Sequence, residues 1–231
     1  MKVSTDACIL GAYAPVENVK RIIDIGTGTG LLALMAAQRS KGKIDAIEIE
    51  KDAAEQAKQN CKSSSWAENI QVFCTTIQDF AATKAQDNLQ NLQNLYDLAI
   101  CNPPFFNHAT LPTSKAQQLA HHTVALPFAD LWAAANLLLA SEGKFVVLLP
   151  LPEMQFFEQI GLQYNFVPNE IVIIQDSEKH KPHRKIVIFC RQNSQLLADF
   201  EPKEQFLLIK NLDGSYTQDF VNLLQPYYLY L

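Results

Sequence analysis

Several things are scarce in this chain, and each shortage removes a class of protein. Its 231 residues hold five cysteines, Cys8, Cys61, Cys74, Cys101 and Cys190, an odd number spread far apart. No C-x-x-C pair occurs, so neither a zinc ribbon nor a disulfide framework is suggested, and a reducing cytoplasm is the default compartment. No apolar run reaches the length of a membrane span, and Met1 to Asp6 lack the basic segment and apolar core of a secretory leader. Positive charge is in deficit: 19 Lys and Arg stand against 24 Asp and Glu, a formal net charge of −5. A protein devoted to non-specific nucleic-acid binding is usually basic, so a nucleic-acid partner would have to be met by a local patch. Histidine numbers only five. His108, His121 and His122 share one polar stretch, but no H-E-x-x-H or similar ligand spacing appears, and no metal is expected. Glycine is limited to eight residues, of which Gly26, Gly28 and Gly30 crowd into a single turn.

What is present reads as one globular α/β domain over 1–231, since 48% of the residues are hydrophobic and the length suits a single core. Residues 1–18 are a lead-in in which Thr5 or Asp6 caps a short helix or touches a ligand. Residues 19–25 form a Val/Ile-rich strand that runs into Asp24-Ile25-Gly26-Thr27-Gly28-Thr29-Gly30, and a helix follows over 31–38. Strand, glycine turn and helix make the first βα unit of a nucleotide-binding sheet. The spacing is G-x-G-x-G, and Leu31 holds the sixth position of the dinucleotide fingerprint, which argues against a nicotinamide cofactor; a mere tight turn is the other reading. A second strand over 43–49 places Glu48 roughly 20 residues beyond the loop, where an acid accepts hydrogen bonds from ribose hydroxyls. A third strand over 70–74 leads to Thr76, Ile77 and Asp79 at the same carboxyl edge, where Asp79 binds a ligand or, the favoured reading, caps a turn. Residues 83–95 are polar and repetitive, and read as a surface loop.

The densest information lies in Asn102-Pro103-Pro104-Phe105. Residues 96–101 form an apolar run that reads as a buried strand ending there. Two adjacent prolines offer no ladder N–H and cannot continue a central strand, and the residue before a proline is pushed to extended geometry. Asn102 is therefore expected at the strand's carboxyl end, the edge where open α/β sheets bind ligands. An amide, two rigid carbonyls and a ring suit a planar group that carries an NH2. Further on come a helix over 128–140 ended by Glu142-Gly143, a buried strand over 144–149, a helix over 154–161, and two strands over 170–175 and 185–191 that form a closing antiparallel hairpin. The hairpin loop, 176–185, holds Lys179, Lys181, His183, Arg184 and Lys185, the one dense cationic cluster: a solvated loop or a phosphate-contacting patch. The tail carries a short strand at Gln205 to Lys210. The order of elements predicts a doubly wound, mainly parallel sheet of seven strands.

Asp24 to Gly30, Glu48 and Asn102 to Phe105 together resemble the S-adenosylmethionine-dependent amino methyltransferases of the N-P-P-[FYW] type. Met1 to Asp6, Leu10-Gly11-Ala12, Cys101 to Phe106, Ala120 to Thr123, Pro182-His183-Arg184 and Asp213 to Thr217 are in turn similar to the bacterial tRNA(Val) adenine-N6 methyltransferases, which modify the adenine just 3′ of the anticodon, position 37. The resemblance covers nearly the whole chain. The family usually carries further residues before the Met-Lys-Val segment, and has Ala-Arg where this chain has Ala120-His121. It implies a Rossmann-like fold, S-adenosyl-L-methionine as cofactor, tRNA as partner, a cytoplasmic setting, and neither membrane nor metal; a monomer is favoured. It implies catalytic roles for Asn102, Pro103, Pro104 and Phe105. The implied cofactor contacts are Thr5, Asp24, Gly26, Thr27, Gly28, Gly30, Glu48, Ile49, Thr76, Ile77 and Asn102, and the implied substrate contacts are Phe106, His122, Lys179, Lys181, His183, Arg184 and Lys185. Guanine-N2 rRNA and glutamine-N5 protein methyltransferases share the N-P-P-aromatic turn and remain alternatives, as does a cofactor-bound RNA-binding protein without catalysis.

Overall fold

The computed structural model describes residues 4–88, 96–103, 128–192 and 201–230. Among the described residues there are eight strands, the first six interleaved with helices: α1 (Thr5–Tyr13), β1 (Arg21–Ile25), α2 (Leu31–Arg39), β2 (Lys43–Glu48), α3 (Lys51–Lys62), β3 (Ile70–Cys74), α4 (Ile77–Asn88), β4 (Tyr96–Cys101), α5 (Phe128–Leu138), β5 (Leu139–Pro150), α6 (Leu151–Gln163), β6 (Phe166–Gln175), β7 (Arg184–Arg191), β8 (Lys203–Leu208) and α7 (Gln218–Leu224). They form one sheet in the order β3-β2-β1-β4-β5-β7-β6-β8. The first five strands are parallel, β7 runs antiparallel between β5 and β6, and β8 is parallel to β6. The doubly wound sheet and its closing hairpin are as expected. Among the described residues the expected seven strands become eight, because the tail strand joins the edge of β6.

The central strands read as unbroken apolar runs because both of their faces are covered. Successive residues alternate between two cores. Ile22, Ile44, Ile100, Val146 and Ile186 enter the core shared with α1, α2 and α7. Ile23, Ile47, Ala99, Val147 and Val187 enter the core shared with α4, α5 and α6. In the second core Trp132 packs against Phe145, Phe157, Phe166 and Phe189, with ring centroids 4.6–5.3 Å apart, and its indole N–H donates to Phe157 O at 2.9 Å. Among the described residues no helix is long and apolar enough to cross a membrane.

Local boundaries depart from the sequence reading for physical reasons. Ser4, not Thr5 or Asp6, caps α1, its hydroxyl accepting from Ala7 N at 3.2 Å. The helix over 128–140 stops at Leu138, and β5 starts at Leu139 because that residue already pairs with Tyr96. Gly143 then lies inside a register shift, where a Cβ would stand 2.9 Å from Tyr96 O. Close approach to β4 accounts for this glycine; it does not terminate a helix. The polar stretch at 83–95 begins as helix, since α4 runs to Asn88; Ala, Gln and Lys are good helix formers, and 89–95 lie outside the described residues. The basic loop shortens to 176–183, because Arg184 and Lys185 pair with β6 and β5 as the first residues of β7.

Candidate active site

Three strand ends meet at one edge. Ile25 pairs with Cys101 of β4 and with Ile47 of β2, so Gly26, Asn102 and Glu48 all sit one step beyond that row. The helix after β1 packs on one face of the sheet, and α5, which precedes β5, packs on the other. The β1–β4 boundary is therefore the topological switch point, where open α/β sheets bind ligands.

The glycine turn is stitched to the end of β2. Gly26 N and Thr27 N both donate to Ile47 O at 2.9 Å, and Gly30 N donates to Thr27 O at 3.0 Å. Gly26, Gly28 and Gly30 have φ of +74°, +58° and +89°, conformations that L side chains resist. Gly30 also lies so close to α3 that a Cβ would meet Cys61 Sγ at 3.3 Å. Above Gly26 a Cβ would meet nothing within 4 Å, so the backbone there is open to an approaching group.

Glu48 braces this turn. Its Oε2 accepts from Gly28 N at 2.8 Å and its Oε1 from Glu50 N at 2.9 Å. Each carboxylate oxygen is held by one backbone N–H and keeps lone-pair capacity for a second donor. Ile49 follows it, 68% exposed, an apolar face at the rim. Asp24 is fully buried beneath the turn; its Oδ2 accepts from Thr27 Oγ1 at 2.5 Å and from Ala33 N at 3.1 Å. Its Oδ1 has no hydrogen-bond partner. Burial pushes the carboxyl up to about 7, with nearby Glu48 adding to the rise.

Asn102 is half-buried, and its Oδ1 is shielded from solvent without a hydrogen-bond partner. A buried acceptor left unsatisfied costs about 1–3 kcal/mol, so its persistence at a ligand edge points to a donor supplied from outside. Pro103, next to it, is buried. The Cys101 thiol beneath it is also buried, which raises its pKa well above the ordinary thiol value and leaves it unreactive. Pro104, Phe105, Phe106 and His122 lie outside the described residues.

The remaining candidates divide. Thr5 is exposed in the first turn of α1. That end of the helix is tied to the ligand edge by an ion pair from Asp6 Oδ2 to Arg184 Nε at 3.1 Å. Thr76 caps α4: its Oγ1 accepts from Asp79 N at 3.0 Å and donates to Asp79 Oδ2 at 2.7 Å, which makes Asp79 a capping residue. The Ile77 side chain is buried in the core with Phe80, at the start of the helix that follows β3. Of the cationic cluster, Arg184 is held by Asp6, and Lys185 by Glu158 at 2.7 Å. Neither was recognisable as an internal clamp from the sequence, because the partners lie 178 and 27 residues away. His183 Nε2 stands 3.8 Å from Asp176, and Lys179 and Lys181 are exposed.

Asn102, Glu48, Ile49 and the glycine backbone thus converge on one stretch of edge. It offers oxygen acceptors, close backbone approach and an apolar rim. These parts fit a nucleoside at Glu48 and Ile49, with hydroxyls on the carboxylate and a flat face on the isoleucine, beside an amino-bearing group at Asn102. Among the described residues, no group of three His, Cys, Asp or Glu side chains could hold a metal ion.

The chain matches the family described as Methyltransferase small domain over residues 7–148. It is 35% identical to the tRNA1(Val) (adenine(37)-N6)-methyltransferase of Shewanella sediminis, covering 99% of this chain and 93% of that protein. It is 37% identical to the enzyme of the same name from Serratia proteamaculans, covering 100% and 84%. Among solved structures it superimposes on a protein of Agrobacterium tumefaciens described as a predicted O-methyltransferase, with TM-score 0.71, 17% identity and 98% of each chain covered. A ribosomal protein L11 methylase of Lactobacillus delbrueckii subsp. bulgaricus gives TM-score 0.53 at 16% identity, covering 81% of this chain and 77% of that one. These structural likenesses establish the fold.

Proposed function

The chain belongs to the Methyltransferase small domain family and, through its full-length relatives, to the tRNA1(Val) (adenine(37)-N6)-methyltransferases, and from that premise we propose that it methylates N6 of adenine 37 in tRNA(Val) with S-adenosyl-L-methionine. The setting proposed is the cytoplasm, and the working unit a monomer. The observation that carries the reading is the unpartnered Asn102 Oδ1 at the switch point, one step from the Glu48-braced glycine turn. S-adenosylmethionine, when bound, supplies an electrophilic methyl group on a sulfonium.

The chain's own residues account for the rest. Glu48 takes the cofactor's ribose hydroxyls on a carboxylate already fixed by two backbone N–H groups, so little reorganisation is needed. Ile49 covers one face of its base. The backbone at Gly26 to Gly30 admits the amino-acid end, and Asp24 acts indirectly by holding Thr27 and the first turn of α2. On the substrate side, Asn102 Oδ1 and the Pro103 carbonyl accept from the two N6–H groups of an adenine swung out of its strand. An exocyclic amine conjugated to its ring is a poor nucleophile. Two acceptors favour a pyramidal nitrogen and free its lone pair for in-line attack on a sulfonium methyl, whose S–C bond would break with its electron pair kept by the departing sulfur, and the excess proton then leaves N6 for water. Phe105 is assigned the stacking contact, worth roughly 1–3 kcal/mol per base.

Labelled S-adenosylmethionine offered with unmodified tRNA(Val), ribosomal RNA or a release-factor protein tests this reading. Transfer to tRNA(Val) at N6 is expected; transfer to rRNA or to protein alone would instead favour the guanine-N2 or glutamine-N5 chemistry. Asn102→Ala is expected to lower the single-turnover rate by about 10²–10³-fold, the scale of losing one preorganised polar contact to the reacting centre. Cofactor affinity, measured by calorimetry, should change little. An equal loss of cofactor binding would show that Asn102 serves the cofactor and not the base.

A further inference from the structure

The hairpin loop 176–183 stands at the same edge as Asn102. β4, β5 and β6 all end there, because β7 reverses between β5 and β6 and places Arg184 opposite Pro150. What the loop offers there differs from what its sequence suggests. Side chains alternate along β7, so Arg184 falls on the face of Ile186 and reaches Asp6 of α1, while Lys185 falls on the face of Val187 and reaches Glu158 of α6. Each contact neutralises a cation and clamps the base of the hairpin, one from either side of the sheet. Lys179 and Lys181, nearer the tip, remain exposed.

A third lysine joins them from the far end of the chain. After β8, Ile209 N donates to Gln175 O at 3.0 Å and Lys210 N to Asp176 O at 2.8 Å, which seats the turn at 209–217 against the hairpin loop. Lys179 Nζ donates back to Leu212 O at 3.3 Å, and Lys210 Nζ lies 5.7 Å from the ring centroid of Tyr216. That ring is 44% exposed and stacked on Phe220 at 4.9 Å. Two lysines are thus held in place by a carbonyl and by an aromatic face. Three carboxylates share the two loops. Asp176 faces His183 at 3.8 Å, Asp213 is turned onto Ser215 N and Oγ at 2.9 and 2.6 Å, and Glu178 is exposed. The two loops therefore carry three lysines beside three carboxylates, with Lys179 and Lys210 held in place and Lys181 exposed, and not a broad basic field.

We infer that Lys179, Lys181 and Lys210 form a phosphate-contacting platform for the RNA substrate, separate from the site that takes the target base, and that Arg184 and Lys185 hold the hairpin in place and touch no phosphate. The inference rests on the RNA-methyltransferase reading above. The platform lies two to four strand spacings from Asn102, about 10–19 Å at 4.8 Å per step. An extruded base at Asn102 leaves the backbone some nucleotides away to run across this edge, so the contact is with the flanking helix and not with the target loop. Three ammonium–phosphate pairs correspond to a salt slope of about 2–3 in log K against log salt.

Filter binding of a full anticodon stem-loop transcript from 50 to 300 mM salt tests this with wild type, Lys179→Ala/Lys181→Ala/Lys210→Ala and Arg184→Met, each first checked by thermal melting. The triple variant should lose about 2–3 from the magnitude of the slope, and Arg184→Met should keep the wild-type slope. A loop oligonucleotide too short to span the distance should bind both variants with equal slopes. An unchanged slope in the triple variant, or a loss in Arg184→Met as large as a lysine's, overturns the assignment. If the wild type neither binds nor methylates the transcript while it methylates another substrate, the RNA reading itself fails, a result distinct from an unchanged slope in an enzyme that does methylate it.

Discussion

Asp24 is the residue whose environment departs furthest from its chemistry. A carboxylate is expected to be ionised at neutral pH, yet burial raises this one from 3.8 to about 7, against hydrogen bonds from Thr27 and Ala33 that pull it down. The raised value means that the folded state takes up this proton more readily than the unfolded chain. The associated stability is fully present below about pH 4 and is lost as pH climbs through 7. An Asn at this position keeps an acceptor for Thr27 and Ala33 without the charge. Asp24→Asn should therefore gain on wild type between pH 4 and pH 8, by on the order of 2–4 kcal/mol. Denaturant unfolding of the cofactor-free protein at the two pH values checks it, and parallel stability curves for the two proteins would contradict the burial argument. At this scale the sequence was most legible where a residue's role follows from its immediate neighbours. Asn102 is fixed by the prolines after it, and the glycines by their turn. Asp24's loss of solvation depends on β2 and β4 pairing on either side of its strand and on the start of α2 closing on it, which no local pattern expresses.

Elements were legible to the extent that their ends are set locally. Thr76 and Asp79 cap α4 on each other, and Pro150 with Pro152 opens α6 where missing N–H groups are harmless. The end of α5 was misplaced because Gly143 looks like a helix terminator, although its lack of a side chain serves the contact with Tyr96 O. Gly161 is a parallel case. It sits in the last turn of α6, where glycine is still a poorer helix former than alanine. A Cβ here would stand 2.6 Å from the Trp132 ring. That ring is fully buried among four phenylalanines and fixed by its hydrogen bond to Phe157 O, so it cannot easily yield. Gly161→Ala is accordingly expected to destabilise the fold by about 1–3 kcal/mol, the usual scale of overpacking, despite the better helix former. Thermal melting of the variant decides between packing and propensity: a rise in Tm would mean that the helix term wins and that α6 can shift away from α5.

Across the whole molecule, the sheet order followed from the alternation of strands and helices, but the contacts that close the fold join distant parts of the chain. Helices α1 and α7, from opposite ends, share one core, and Gln38 Nε2 donates to Pro226 O at 2.9 Å. The Asp6–Arg184 pair belongs with these, half-buried on both sides at 22% and 20% exposure. A pair so shielded is screened by salt less than a surface pair, and its carboxylate also lies in the first turn of α1, where the helix dipole favours it. It therefore does two jobs: it anchors the hairpin, and it holds the exposed Thr5 end of α1 at the ligand edge. A double-mutant cycle of Asp6→Asn and Arg184→Met should return a coupling energy of about 0.5–2 kcal/mol in unfolding, little changed between 0.05 and 0.5 M salt. Because α1 and α2 both begin at the ligand edge, freeing α1 should also weaken S-adenosylmethionine binding several-fold in either single variant, with the single-turnover rate at saturating cofactor retained. Loss of stability with unaltered cofactor affinity would confine the pair to anchoring the hairpin and would remove Thr5 from the cofactor set.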